Sequence, residues 1–406
     1  MRTYRELFRT KEFTPFFLAG AVQIAASTVC GPALGTLIFT ATGSPLLSAL
    51  AMFGPSLAQV LGATTLLAAA DRLAPRAAMT GLALLFCLGA ATQAVPGLPV
   101  WAAFAVLFCQ GVAASVGGGV RYGLLNEILA REGYLLGRSV LNMSTGVMQI
   151  CGFAVGGVLV TTVSARGTLL IGAGLYLAAA VVVRCGLGRR PPRSTGRLSL
   201  GATWRANAVL WSSVPRRYVY LALWVPNGLI VGCESLYVPY APRHAGTLFA
   251  FAAFGMLIGD VVTGRFVPPW WRARLGPPLR LLLAVPYLVF VFRPALPVAV
   301  GAVTLASVGY SASLLLQERL MALTPDESSG HALGLHSSGM LTMQGVGAAL
   351  AGAVAQFSSP RTAMAVMAAV SVAVTLALAP GLRPDRDTPS EPGDGVPDPA
   401  AARAAT

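Results

Sequence analysis

The sequence predicts an all-α membrane protein of twelve transmembrane helices in two pseudo-symmetric six-helix halves. Three observations predict it. Of the 406 residues 55% are hydrophobic and 11% charged, and the mean hydropathy is +0.69. A water-facing surface needs far more, roughly a quarter of all residues, so the excess apolar surface must face lipid. Twelve mostly apolar runs, each near the ~20 residues that cross a bilayer, follow one another along the chain. Finally, Arg and Lys concentrate in alternate connections between those runs.

The runs fall at residues 14–40, 44–69, 77–96, 99–122, 139–163, 167–186, 218–241, 245–263, 279–296, 298–317, 332–357 and 361–381. Several exceed the bilayer minimum, which implies tilt or extension beyond the membrane. The basic N-terminal stretch leads into a run too long for the apolar core of a cleaved signal, and further spans follow. With residues 1–13 inside, the cytoplasmic segments hold 25 of the 29 Lys and Arg. The outer connections hold only Arg166, Arg243, Arg293 and Arg361. This positive-inside bias sets both ends in the cytoplasm and supports the span count, because one missed span would scramble the alternation. The expected location is the plasma membrane. Usage rich in Arg and Ala with a single Lys, Lys11, points to a GC-rich bacterial genome.

The net charge of +14 would raise a nucleic-acid partner in a soluble protein. Here it is the topology signal, and no nucleic-acid partner is expected. Cys30, Cys87, Cys109, Cys151, Cys185 and Cys233 are scattered through apolar runs, without CxxC or Cys/His spacing, and read as small buried apolar side chains rather than metal ligands or disulfides. Residues 187–217, rich in Arg, Pro, Ser and Gly, form a basic cytoplasmic linker between a half at 14–186 and a half at 218–382. Residues 383–406, rich in Pro, Asp and Ala, read as a disordered cytoplasmic tail.

The halves match at one offset. Gly137 and Gly330, Gly146 and Gly339, and Gly152 and Gly345 are each 193 residues apart. So are Arg72 and Arg265, and Pro75 and Pro268. Duplicated six-helix halves are a transporter feature, with the substrate site between them near the midplane.

The loop after the second run reads Leu67-Ala-Ala-Ala-Asp71-Arg72-Leu-Ala-Pro75-Arg76. It resembles the signature loop of the major facilitator superfamily, GxxxDRxGRR, with Leu67, Ala74 and Pro75 as departures. The eighth run ends Gly255-Met-Leu-Ile-Gly259-Asp260-Val-Val-Thr-Gly264-Arg265, a looser second copy. The resemblance covers roughly residues 13–382. It implies alternating access, with Asp71, Arg72, Arg76, Asp260 and Arg265 as inner-face latches, since an Asp beside Arg at a helix end can bond a neighbouring helix and release it. The plainer alternative is a charge pair that caps a span. Gly152-Phe153-Ala-Val-Gly156-Gly157 is similar to the GPxxGG element of the family's proton-linked exporters, with Phe153 for Pro. Small residues there also serve close helix packing. Leu107 stands three residues before Gln110-Gly111, where many of those exporters carry an Arg linked to proton transfer.

One acid lies well inside a run. Glu234 is four residues, about 6 Å of helix, beyond the middle of the seventh. A carboxylate so deep is costly and is expected to face the bundle interior or a cavity, as a proton carrier or cation site; the alternative is a structural hydrogen bond between helices. Asn227 lies two turns earlier on the same face. Pro226, Gly228 and Gly232 weaken this helix, as expected beside a cavity. Gln23, Gln59, Gln149 and Gln344 could line the same cavity or join helices, and His336 reads as structural. No GxxxxGK[ST] loop and no catalytic constellation is present, so neither an enzyme nor a cofactor or metal is expected.

The expectation is therefore a monomeric secondary transporter of a small molecule, coupled to protons, exporting a drug or secondary metabolite. The alternatives are uptake of a nutrient or metabolite by the same fold, and a non-transporting membrane sensor or assembly protein without a polar cavity.

Overall fold

The computed structural model describes residues 4–70, 73–129, 131–191, 200–325 and 328–382. Twelve helices among them are long and apolar enough to cross a membrane: Phe13–Thr42, Pro45–Gly62, Pro75–Gln93, Val100–Ile128, Met143–Thr162, Ala165–Gly186, Val214–Tyr240, Ala245–Phe266, Leu275–Phe292, Leu296–Ala322, His331–Phe357 and Pro360–Leu378. All twelve expected spans are present, shifted by a few residues at their ends. The helices start where the sequence places prolines: Pro75, Pro215, Pro269, Pro297 and Pro360 occupy the first or second helical position. There the missing N–H would have had no partner in any case. Gly43, at φ 64°, closes the first span, donating its N–H to Phe39 O, a left-handed turn that favours glycine.

The segment between the halves contains a helix, Leu200–Ser212. Its Trp211 stacks on Tyr220 and Trp224 of the seventh span, and Asn207 hydrogen-bonds His331 at 3.1 Å. Arg190 pairs with Glu12 at 2.8 Å and Glu127 at 3.4 Å. The chain leaving the sixth span is thereby tied to the starts of the first span and the end of the fourth.

The two-fold relation foreseen from the repeat is visible in the packing. The fifth span lies on the first and reaches across to the eighth; the eleventh lies on the seventh and reaches across to the second. Close approaches between the halves fall between the middle of the bundle and the end where the loops are short. Ser44 bonds Gln356 at 2.7 Å. Gly157 meets Gly246 backbone to backbone, Gly352 seats on Leu46 and Ala49, and Gly345 on Leu57. Near the opposite, Arg-rich end, Gly146 and Gly334 face open space, and Met143, Val147, Ser337 and Ser338 are exposed. The halves are thus joined at the short-loop end.

Two spans depart from regular α-helix. The ninth changes at Val285 to an eight-residue 3-10 stretch, long for that geometry, after Pro277 and Pro278. The tenth breaks into a short 3-10 turn, Gly309–Ser311. Gly309 is required there, because any side chain would strike the backbone of Leu279 and Leu283 in the ninth span. Among the cysteines, Cys30 and Cys233 are buried, whereas Cys109, Cys151 and Cys185 are exposed. That corrects the expectation of buried thiols: in lipid an outward-facing apolar position is satisfied without burial.

Candidate transport site

The seventh span is the most buried of the twelve: 89% of its apolar 18-residue core is buried, against 50% for the first. Its regular helix runs Val214–Ser235, breaks at Leu236 (φ −93°, ψ 0°), and resumes as the turn Tyr237–Tyr240. Glu234 therefore stands on the last turn before the break. A negative charge there would meet the carbonyl end of its own helix, an unfavourable position for an anion.

Glu234 is 8% exposed and Asn227 7%. Glu234 Oε1 and Asn227 Oδ1 are both without a hydrogen-bond partner among the described residues. The carboxyl faces the Tyr310 hydroxyl, although not at hydrogen-bonding geometry, since that hydroxyl also lacks a partner. Tyr310 is carried by the 3-10 turn that Gly309 permits. Tyr237, one turn after Glu234, hydrogen-bonds Tyr287 of the ninth span. One carboxyl thus lies among phenols from three spans and has no ion-pair partner among the described residues.

This group is wired to the other half. Tyr237 meets Phe249 edge-on at 5.1 Å, Phe249 stacks on Phe153 at 6.1 Å, and Phe153 lies 6.5 Å from Phe53. Tyr310 packs in the same apolar cluster as Ala49, Phe53, Phe153, Val231 and Ala348, drawn from both halves. Phe153, which departs from the exporter-like element, is a cross-half plug. The glycines around it sort differently: a side chain at Gly152 or Gly156 would strike Thr28 or Val29 of the first span, and at Gly157 the backbone of Gly246.

Gly228 and Gly232 correct the reading of a weakened helix. Side chains there would collide with the carbonyls of Met343 and Gly347, so these glycines let the seventh and eleventh helices touch backbone to backbone. A second polar group lies nearer the Arg-rich end, where Trp224 Nε1 donates to His336 O at 3.1 Å and Gln317 Nε2 approaches His336 Nε2 at 3.4 Å. Arg280, 2% exposed, leaves both terminal guanidinium nitrogens without a partner among the described residues.

The remaining candidates are dispersed. Gln23, Gln59 and Gln344 are half-buried and Gln149 is exposed; none is hydrogen-bonded to Glu234 or Asn227. Asp71 and Arg72 lie outside the described residues. Arg76 donates to the carbonyl of Arg184, a bond inside the N-terminal half. Asp260 is half-buried and Arg265 exposed, with no ion pair between them. Arg265 lies in a π-helical turn, Val262–Phe266, held by Thr263 to Ser311 at 3.0 Å. Leu107, 4% exposed, is apolar core. Tyr310, Tyr237 and Tyr287 escaped the sequence reading; the signals were a Tyr three residues after Glu234 and a Tyr following glycine inside an apolar run.

The family model described as Major Facilitator Superfamily matches residues 16–317. No curated protein sequence matches significantly. Solved structures match across nearly the whole chain at low identity. The nucleoside transporter NupG superposes with TM-score 0.72 and 12% identity, covering 92% of this chain and 100% of that one. A POT family transporter bound to a thioalcohol-conjugated peptide gives 0.69 and 13%, covering 92% and 96%. A bacterial homolog of the human lysosomal transporter Spinster, inward-facing and unoccupied, gives 0.66 and 14%, covering 94% and 97%.

Proposed function

Because the chain belongs to the major facilitator superfamily, a family of membrane transporters, we propose that it carries a small molecule by alternating access, coupled to protons, with Glu234 as the coupling group and efflux as the direction. The observation that carries this reading is the buried, unpaired Glu234 carboxyl beside aromatic contacts that join the halves. A carboxylate without a counter-charge in the bilayer interior is costly, so loss of its proton is tied to the arrival of water or of a cationic substrate group. Either event would disturb Tyr310 and Tyr237, and through them the plug around Phe153. The positive-inside rule puts the Arg-rich end in the cytoplasm; the joined end is then external, which supports opening toward the inside. Asn227, free to accept a hydrogen bond two turns deeper, is assigned to substrate.

Uptake is kept as a second reading on one observation: Leu107 and Phe153 replace the Arg and Pro of the exporter-like elements, and both side chains are packed. The test is a panel of compounds added to proteoliposomes that hold a trapped pH indicator. A transported compound moves protons in the wild type and not in Glu234→Gln. Compound flux that drives no proton movement would refute coupling. Deleting the gene raises cellular accumulation of the compound for an exporter and lowers it for an importer.

A further inference from the structure

The four Arg on the short-loop end are costly by the positive-inside rule, and two of them converge. Arg293 and Arg361, with His244, line a pocket of about 420 Å³ at the end of the C-terminal half, floored by Leu296 and Ala299 and flanked by Tyr240. Such a volume holds a small ligand. The sequence places no Asp or Glu between Glu234 and Asp260, between Asp260 and Glu318, or between residues 328 and 384. No acid on these loops can answer the charges, and neither Arg makes an ion pair among the described residues.

Three helices also begin at this pocket: the eighth span after His244, the tenth after Ala295 and the twelfth after Ser359. Their N-terminal ends add to a positive potential the arginines already create. Arg293 is held at φ 53° and ψ 59°, a left-handed conformation that costs a non-glycine residue free energy and is met at ligand clamps. It ends the 3-10 stretch with its N–H on Phe290 O at 3.3 Å.

We propose that this pocket is an anion site for a phosphate-bearing group, presented either by a lipid headgroup or by a free organic phosphate. Two guanidinium forks match phosphate oxygens, the apolar floor accommodates the carbon attached to the phosphate, and the loops lie at the membrane surface where headgroups sit. The site is separate from the Glu234 group and does not depend on the proposed coupling.

Native mass spectrometry of the purified full-length chain, titrated with phosphatidylglycerol and with phosphatidylcholine, tests the lipid source; calorimetric titration with inorganic phosphate tests the soluble one. The expected result is at least fivefold preferential retention of phosphatidylglycerol, or saturable binding of phosphate. Either is lost in Arg293→Gln/Arg361→Gln, weakened in each single variant, and kept in Arg166→Gln, which removes as much charge as one single variant elsewhere on the same end. If the double variant does not fold, the single variants and Arg361→Lys carry the test, the latter keeping the charge and weakening binding. Binding of neither probe, or binding that survives loss of both arginines, overturns the proposal.

Discussion

The two halves share a plan but not a chemistry. In the N-terminal half several interior polar groups answer one another: Gln93 bonds Gln110 at 3.4 Å, Gln110 bonds Phe86 O at 3.3 Å, and Thr28 bonds carbonyls of its own span and of Met148, while Thr80 Oγ1 is buried without a partner among the described residues. In the C-terminal half, Glu234, Asn227, Tyr310 and Arg280 hold buried polar atoms with no partner among the described residues. A buried carboxyl without a partner is far costlier than a buried hydroxyl without one. The difference is one of kind: the deep carboxyl lies in the C-terminal half, the proposed coupling is assigned to it, and Phe249, Phe153 and Phe53 are the aromatic contacts that lead from it to the first half.

The largest effect expected from this contrast is in the C-terminal half. Glu234→Gln abolishes proton-coupled flux in proteoliposomes while expression and the gel-filtration profile stay normal; retained coupling would remove Glu234 from the mechanism. Next comes Gly347→Val, whose side chain would strike the Gly228 carbonyl. Overpacking of this kind costs roughly 1–3 kcal/mol or more, read as a lowered Tm of the purified protein, whereas the same change at Gly146, which faces open space, leaves Tm nearly unchanged. Tyr310→Phe keeps the ring in the cross-half cluster and removes only the hydroxyl. It slows turnover about tenfold, equivalent to ~1.4 kcal/mol, with Tm preserved. The smallest effect belongs to the N-terminal half: Gln110→Leu shifts stability by about 1 kcal/mol or less, as hydrogen bonds between membrane helices generally do, and leaves proton coupling intact. Loss of coupling in that variant would break the distinction between the halves.

How far the sequence reached follows from what each feature writes into it. Lipid exposure writes long apolar runs and the positive-inside rule writes the loops, so spans and pairing of halves were legible. Glu234 was legible because a lone acid in an apolar run is rare. Tyr310 was not, because a Tyr in such a run is unremarkable and the carboxyl it faces lies 76 positions away in the chain, brought close only by the ninth and tenth helices crossing at Gly309. Phe153 read as the loss of a motif proline, when its contribution is a contact with Phe53 and Phe249. Gly228 and Gly232 read as helix-weakening until their packing on the eleventh span was visible. The helix Leu200–Ser212 was hidden by flanking Arg, Pro and Ser, and its docking rests on Trp211 and Asn207, which carry no local signal.

The measurement that tests the central claim most directly needs no substrate. Spin labels at Met143→Cys and Ser338→Cys, exposed positions in opposite halves, report by pulsed electron resonance on the separation at the Arg-rich end, in a background with the six native cysteines replaced. The account predicts a distance distribution that changes between acid and mildly alkaline buffer in the parent, and that Glu234→Gln, which mimics the neutral acid, holds the acid distribution in both. A Glu234→Gln protein whose distribution still changes with pH as the parent does would contradict it.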